Sequence, residues 1–291
     1  MLTDIYGQPI HLDDSGAGAP VLLLHAAASS GMQWMKTKKV LNPRYRVLIP
    51  DLAGEGRTPG PSDWSDLLGT ECDGISALIK SIGGPVHVVG HSYGAVIAMR
   101  LAAEHPHLFS SLVLIEPVAF NLLRAYPFNE DHKQLLDVKN ACTSALAEGN
   151  RFEAARFFIS YWSGESSWQN LSPSLQKTLA GVMPKVVYGW DAIAADPRDM
   201  DFYRQIRIPA LMISGDSGPK PIQWVAHQLA LNITASAFCR IWGAGHMSPI
   251  THPEAVTDAI QSHIQAAEAR NKIFTNLKAD DWQTKKTVSA K

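Results

Sequence analysis

The sequence predicts an α/β fold, with a mostly parallel central sheet and helices on both faces. Three observations carry that expectation. Short runs of β-branched and aliphatic residues alternate with segments of helical period, the order that builds a sheet from strand, helix, strand units. The runs are apolar at successive positions, as strands buried on both faces require. One stretch, VHVVGHSYGAVIAMR from Val86 to Arg100, changes period in its middle, passing from a strand through a Gly-flanked turn into a helix.

Residues 3–12 read as an opening strand or hairpin at the sheet edge, ended by the turn-favouring Asp13, Asp14, Ser15 and Gly16. Pro20 to His25 and Tyr45 to Pro50 suit buried strands, and Met32 to Val40 between them has helical spacing, which makes one β, α, β unit. The Gly-rich loop Asp51 to Arg57 is followed by no G-K-[ST], so it is not read as a phosphate-binding loop. A helix falls within 62–82, a strand at 86–90, and another buried strand at Leu112 to Ile115. From 118 to 205 no run resembles a buried strand. Helical stretches around 131–148, 151–162 and 172–182 carry Phe152, Phe157, Phe158, Tyr161 and Trp162, with Trp168 and Trp190 in the connections. This segment reads as a helical subdomain inserted between two strands. The alternation resumes with strands at Ile208–Ser214 and Ala237–Trp242 and helices over 220–231 and 253–270. The expected division is a core of 1–117 and 206–270, a cap of 118–205, and a loose tail of 271–291 without apolar periodicity.

A chain of 291 residues can bury one large core with an inserted subdomain. Its formal net charge of -1 offers no electrostatic reason for nucleic acid or an anionic membrane as partner. Cys72, Cys142 and Cys239 are too few and too scattered for a zinc cluster, and their odd number argues against a disulfide framework, so a reducing cytoplasm is expected. No export signal or membrane span is expected either, since the longest early apolar run is interrupted by His25.

In parallel sheets ligands bind at the carboxyl ends of the strands, which directs attention to His25, Asp51, Ser92, Glu116, Asp216 and His246. Ser92 lies in G-x-S-x-G, where Gly90 and Gly94 leave room for a strained turn that holds the hydroxyl above the sheet. A serine hydroxyl is a poor nucleophile at neutral pH, so it needs a base in reach and a carboxylate to orient that base. His246 is the best placed of eleven histidines, because Gly243 and Gly245 permit a tight loop there after the strand. His252, beside the start of the final helix, reads as structural.

These residues give the chain a resemblance to the α/β-hydrolase superfamily, specifically the cap-bearing group related to esterases, lactonases, C–C bond hydrolases, haloalkane dehalogenases and epoxide hydrolases. The matching stretches are LLLHAAASS at 22–30, DLAGEGRT at 51–58, GHSYG at 90–94, LVLIEP at 112–117 and GAGHM at 243–247. The order Ser92, acid, His246 is also the superfamily's. Two departures matter. Family members usually carry His-Gly where this chain has His25-Ala26, which affects the loop shaping half the oxyanion hole. Dehalogenases and epoxide hydrolases of the group use Asp as nucleophile, so Ser92 argues against both reactions.

The resemblance implies an oxyanion hole from the backbone N–H of Tyr93 with that of Ala27, or Ala26 if the loop is shifted. It places the commoner acid three residues beyond a Gly after the strand at 208–214, which from Gly215 is Gly218, without a carboxylate. Asp216 is nearby, in a position that a turn residue would fill. Glu116 ends the strand after the elbow helix, the acid position of some dehalogenases and lactonases, and is preferred, with Asp216 as the alternative. The expected activity is hydrolysis of a small ester or lactone through an acyl-enzyme, without metal or organic cofactor. The substrate's apolar part would lie against Trp162, Phe158, Trp190 and His25. C–C bond hydrolysis, cofactor-free perhydrolysis and a non-catalytic ligand receptor are the alternatives, and homo-oligomerisation is left open.

Overall fold

A computed structural model describes residues 2–5 and 8–288, with 5, 8 and 272–288 as backbone only. Strands β1 (Leu2–Ile5) and β2 (Gln8–Ser15) form the expected opening hairpin. They are followed by β3 (Pro20–Leu24), α1 (Met35–Leu41), β4 (Arg46–Pro50), α2 (Leu67–Ile82), β5 (Val86–His91), α3 (Tyr93–Glu104) and β6 (Phe109–Ile115). Five helices come next: α4 (Glu130–Ala147), α5 (Arg151–Ser163), α6 (Glu165–Gln169), α7 (Pro173–Ala195) and α8 (Met200–Tyr203). The core then resumes with β7 (Ala210–Gly215), α9 (Lys220–Asn232), β8 (Ser236–Ile241), α10 (Ser248–Thr251) and α11 (Pro253–Val288).

The strands form one sheet in the order β1-β2-β4-β3-β5-β6-β7-β8. Pairing is antiparallel for β1 with β2 and β2 with β4, and parallel from β4 to β8. The period-two alternation of each strand feeds two separate cores. Leu22, Leu24, Val88, Leu112, Leu114 and Met212 face one way, toward α2, α3, α9 and the inserted helices. Val21, Leu23, Val89, Val113, Ile115 and Ile213 face the other, toward α1 and α11. This is why the central runs read as continuously apolar: β5 and β7 have no exposed position, whereas the edge strand β8 is mostly part-exposed.

Two helices outrun their sequence expectation. The pattern over 172–182 stops short of Pro184, but α7 continues through that proline to Ala195, because a proline inside a helix removes one N–H donor without ending a helix that packing holds on both sides. Trp190, expected in a connection, therefore lies in α7. The loose tail expected over 271–291 meets a helical backbone that continues to Val288; the side chains from 272 and residues 289–291 lie outside the described residues. Among the described residues, no helix is long and apolar enough to cross a membrane.

Helix α3 starts pressed against β3. A Cβ on Gly94 would stand 2.6 Å from the His25 carbonyl oxygen and 2.7 Å from that of Leu24, both backbone atoms that cannot turn aside. Gly94→Ala should therefore cost on the order of 1–3 kcal/mol in urea unfolding. Gly181→Ala, at an α7 position with nothing within 4 Å of the added carbon, should be neutral or stabilise by up to about 1 kcal/mol. Equal midpoints for the two variants would refute the close-approach account.

Candidate active site

The turn between β5 and α3 is as tight as its two glycines allow. A Cβ on Gly90 would collide with the Gly94 carbonyl oxygen and the Ala95 backbone. The residue between strand and helix, Ser92, is held at φ 54 and ψ -114, a conformation that L residues rarely adopt. Ser92 occupies the N-cap position of α3, yet its side chain makes no capping hydrogen bond. The hydroxyl lies instead 3.0 Å from His246 Nε2.

His246 stands in the loop between β8 and α10 and is held from three directions. Its Nδ1 is 3.4 Å from Glu116 Oε2. Its backbone carbonyl accepts a 2.8 Å hydrogen bond from His91 Nε2, and the Trp162 ring of α5 lies with its centroid 4.2 Å from the imidazole's. Burial and the neighbouring His246 push the His91 pKa well below its usual value, which keeps that imidazole neutral and fit to donate from Nε2. His91 was not singled out from the sequence, where the variable position of G-x-S-x-G carries no signal of its own.

Glu116 follows β6 with φ 47 and is fully buried. Its Oε1 accepts 2.7 Å hydrogen bonds from the Ser214 hydroxyl and the Gly215 N–H, so the carboxylate has the donors a buried charge needs. Asp216 is engaged elsewhere. Its Oδ1 accepts from the Gly243 N–H at 2.7 Å and the Ser217 hydroxyl at 3.2 Å, tying the loop after β7 to the loop after β8. A Cβ on Gly218 would stand 3.1 Å from Glu116 Oε2, so the Glu116 carboxylate fills the space that a side chain at 218 would enter.

Opposite the serine, the loop after β3 offers backbone amides. The Ala26 N–H donates to Gln33 Oε1 at 3.3 Å and the Ala28 N–H to Glu55 Oε1 at 2.5 Å. Between them the Ala27 N–H has no protein acceptor among the described residues, and neither has the Tyr93 N–H at the first position of α3.

Residues 21–259 match the profile of the alpha/beta hydrolase family. The chain belongs to this family. Its curated relatives include the lipase LipV of Mycobacterium tuberculosis, 36% identical over 37% of this chain and 41% of the lipase. The pimeloyl-[acyl-carrier protein] methyl ester esterase of Methylococcus capsulatus is 34% identical over 36% of this chain and 40% of that protein. The chain thus spans about two fifths of the length of both. The (E)-2-((N-methylformamido)methylene)succinate hydrolase of Acinetobacter baylyi is 20% identical over 88% of this chain and 94% of its own. Among solved structures, the enol-lactonase of Burkholderia xenovorans LB400 superposes with a TM-score of 0.72 at 17% identity, covering 91% of this chain and 100% of that one, which shows the shared fold.

A cavity of about 1250 Å³ opens at the carboxyl ends of the strands, lined among others by Trp162, Tyr161, His246, Gly218, Ala28 and Gln33. Three residues expected to touch substrate do not line it. Phe158, one turn from Trp162 on α5, packs behind that ring with centroids 6.1 Å apart. Trp190 lies flat on Phe120, centroids 4.6 Å apart, and buttresses Trp162 from further inside. Aromatic spacing identified a cluster, not which of its members faces the cavity.

His25 is the third. It is fully buried, its Nδ1 donates to the Ala26 carbonyl at 2.7 Å, and its Nε2 accepts from the Leu52 N–H at 2.9 Å. The Ala26 carbonyl belongs to the same peptide plane as the Ala27 N–H, so His25 orients that amide from behind. Burial lowers its pKa from 6.5 to about 4, keeping Nε2 free to accept. A lowered folded pKa means that the unfolded chain binds the extra proton, so this contribution to stability is complete above pH 6.5 and lost as pH falls toward 4. Urea unfolding should show the stability of the wild type relative to His25→Gln declining by about 3 kcal/mol between pH 7 and pH 4. A pH-independent difference would mean that His25 is not held neutral.

Proposed function

We propose that the chain is a serine hydrolase that cleaves a small ester or lactone through an acyl-enzyme. The observation that carries this reading is the alignment of Ser92 Oγ, His246 and Glu116 at 3.0 and 3.4 Å, with a hydroxyl withheld from helix capping. Ser92 Oγ attacks the carbonyl carbon as His246 Nε2 takes its proton. Glu116 holds the Nδ1–H tautomer and stabilises the imidazolium. The Tyr93 and Ala27 N–H groups donate hydrogen bonds to the carbonyl oxygen as it gains charge, and the dipole of α3 points its positive end there. The imidazolium returns the proton to the leaving alcohol. Water, activated by the same histidine, then releases the acid. Trp162 covers the base and takes the substrate's apolar part. The names of the lipase and the esterase among the relatives support ester chemistry over the C–C bond cleavage and perhydrolysis that the same nucleophile could serve.

Fluorophosphonate labelling and turnover of a chromogenic ester test this reading. Ser92→Ala should abolish labelling and lower kcat on the order of a thousandfold or more. Glu116→Gln should lose a comparable factor. Asp216→Asn keeps an acceptor for the Gly243 N–H and should stay within about tenfold of wild type, since the Asp216 carboxylate is bonded to Gly243 and Ser217 while Glu116 is the carboxylate on the imidazole. A large loss confined to Asp216→Asn would move the acid to that residue. A labelled and turned-over Ser92→Ala protein would end the serine mechanism, and a wild type that binds small ligands but is never acylated would point to a receptor.

A further inference from the structure

The inserted helix α7 carries a lysine where its pattern calls for an apolar residue. Lys185 is 4% exposed, among the buried Met183, Val186 and Val187. Burying an ammonium is costly unless carboxylates meet it. Two do. Nζ lies 2.7 Å from Glu55 Oε2, in the loop after β4, and 3.0 Å from Glu71 Oε1, on α2. Burial opposes the charge on Lys185, but the two carboxylates outweigh it and raise its pKa.

The contacts continue to both sides of the proposed oxyanion hole. Glu55 uses its other oxygen to accept the Ala28 N–H, and Ala28 is held at φ 55, a conformation an alanine adopts only when its surroundings impose it. The peptide planes flanking Ala27 are therefore pinned separately, one by His25 at the Ala26 carbonyl and the other by Glu55 at the Ala28 amide. On the other side, Lys185 Nζ stands 5.3 Å from the centroid of the Tyr93 ring. One turn further along α7, Gly189 lies so close that a Cβ there would be 3.1 Å from Tyr93 Cε2. A single face of α7 thus touches Tyr93 directly and reaches Ala27 through Glu55.

We propose that Lys185 is a positioning residue for the oxyanion hole, holding the Ala27–Ala28 turn through Glu55 and the Tyr93 side through its ring. The proposal rests on the serine hydrolase reading above. It makes the inserted helices part of the catalytic framework, since the cation that sets the donors comes from α7. Lys185 touches no substrate and acts through the two amides.

The test compares wild type, Lys185→Met and Glu55→Gln, each checked for folding by circular dichroism. It uses a chromogenic ester, a trifluoromethyl ketone that forms a charged hemiketal on Ser92, and the matching methyl ketone, which only occupies the cavity. Misplaced amides weaken the transition state and spare ground-state binding. Both variants should therefore lose roughly ten- to a hundredfold in kcat with KM little changed. Trifluoromethyl ketone affinity should fall by a similar factor, and methyl ketone affinity should hold. If Lys185→Met does not fold, the nearly isosteric Glu55→Gln decides alone. Lowered thermal stability with unchanged kcat and trifluoromethyl ketone affinity overturns the positioning role, as does a parallel loss of affinity for both ketones. Those results with a fluorophosphonate-labelled wild type sink this inference alone, whereas an unlabelled wild type sinks the hydrolase reading with it.

Discussion

Strand β5 and helix α3 approach so closely that no relaxed turn fits between them, and the placement of every group in the site follows from that approach. Ser92 bears the strain, at φ 54, while its N–H is tied at 2.9 Å to the Ile115 carbonyl at the end of β6. The next residue is Glu116. The same packing sets Gly94 against the carbonyls of Leu24 and His25, at the end of β3. Three neighbouring strands are thereby locked at their carboxyl ends. Ala28, Ser92 and Glu116 are the only non-glycine residues with positive φ among the described residues, and each sits on one of these three exits. At about 1–3 kcal/mol each, such conformations persist only where surrounding contacts hold them, and here the two buried cores on either side of the sheet do so.

Buried charge in this molecule is tied to the same exits. The carboxylate of Glu116, fully buried, is met by the Ser214 hydroxyl and the Gly215 N–H, with His246 as its third contact. Glu55 and Glu71 lie deep enough that burial raises their pKa values, and Lys185 offsets it. Where charge is well paired, removing one partner costs far more than the pair gained in forming. Such groups are better understood as fixing geometry than as adding stability.

Much of this was legible in the sequence for identifiable reasons. The change of period at Gly90 to Gly94 marks strand, turn and helix at once, and the carboxylate closing the apolar run LVLI needs a buried partner, which the structure supplies at His246. Side-chain direction was not legible. Phe158 and Trp162 share a helix at adjacent turns, yet one faces the cavity and the other the packing behind it. His25 follows a strand end as a ligand contact would, but its orientation depends on a hydrogen bond from Leu52, in a loop the strand pattern does not place. The helical pattern over 172–182 stopped short because local periodicity omits the packing that carries α7 past Pro184 to Ala195. Lys185 gave no signal, because a lysine in a helix ordinarily reads as solvated.

The separation of the three aligned groups along the chain bears on the order in which the site is completed. Ser92 and Glu116 are set within one continuous strand, helix, strand unit, β5 to β6, whose contacts span a short stretch of chain. His246 is 154 residues from Ser92 and reaches it from the loop after the edge strand β8. A chain emerging during synthesis therefore lacks His246 until the loop after β8 has been made, and lacks also the later residues of both cores that hold Ser92 at positive φ. The three side chains can meet only after a long stretch of chain has been closed into a loop between them, so the alignment is a property of the finished fold and of no single local segment.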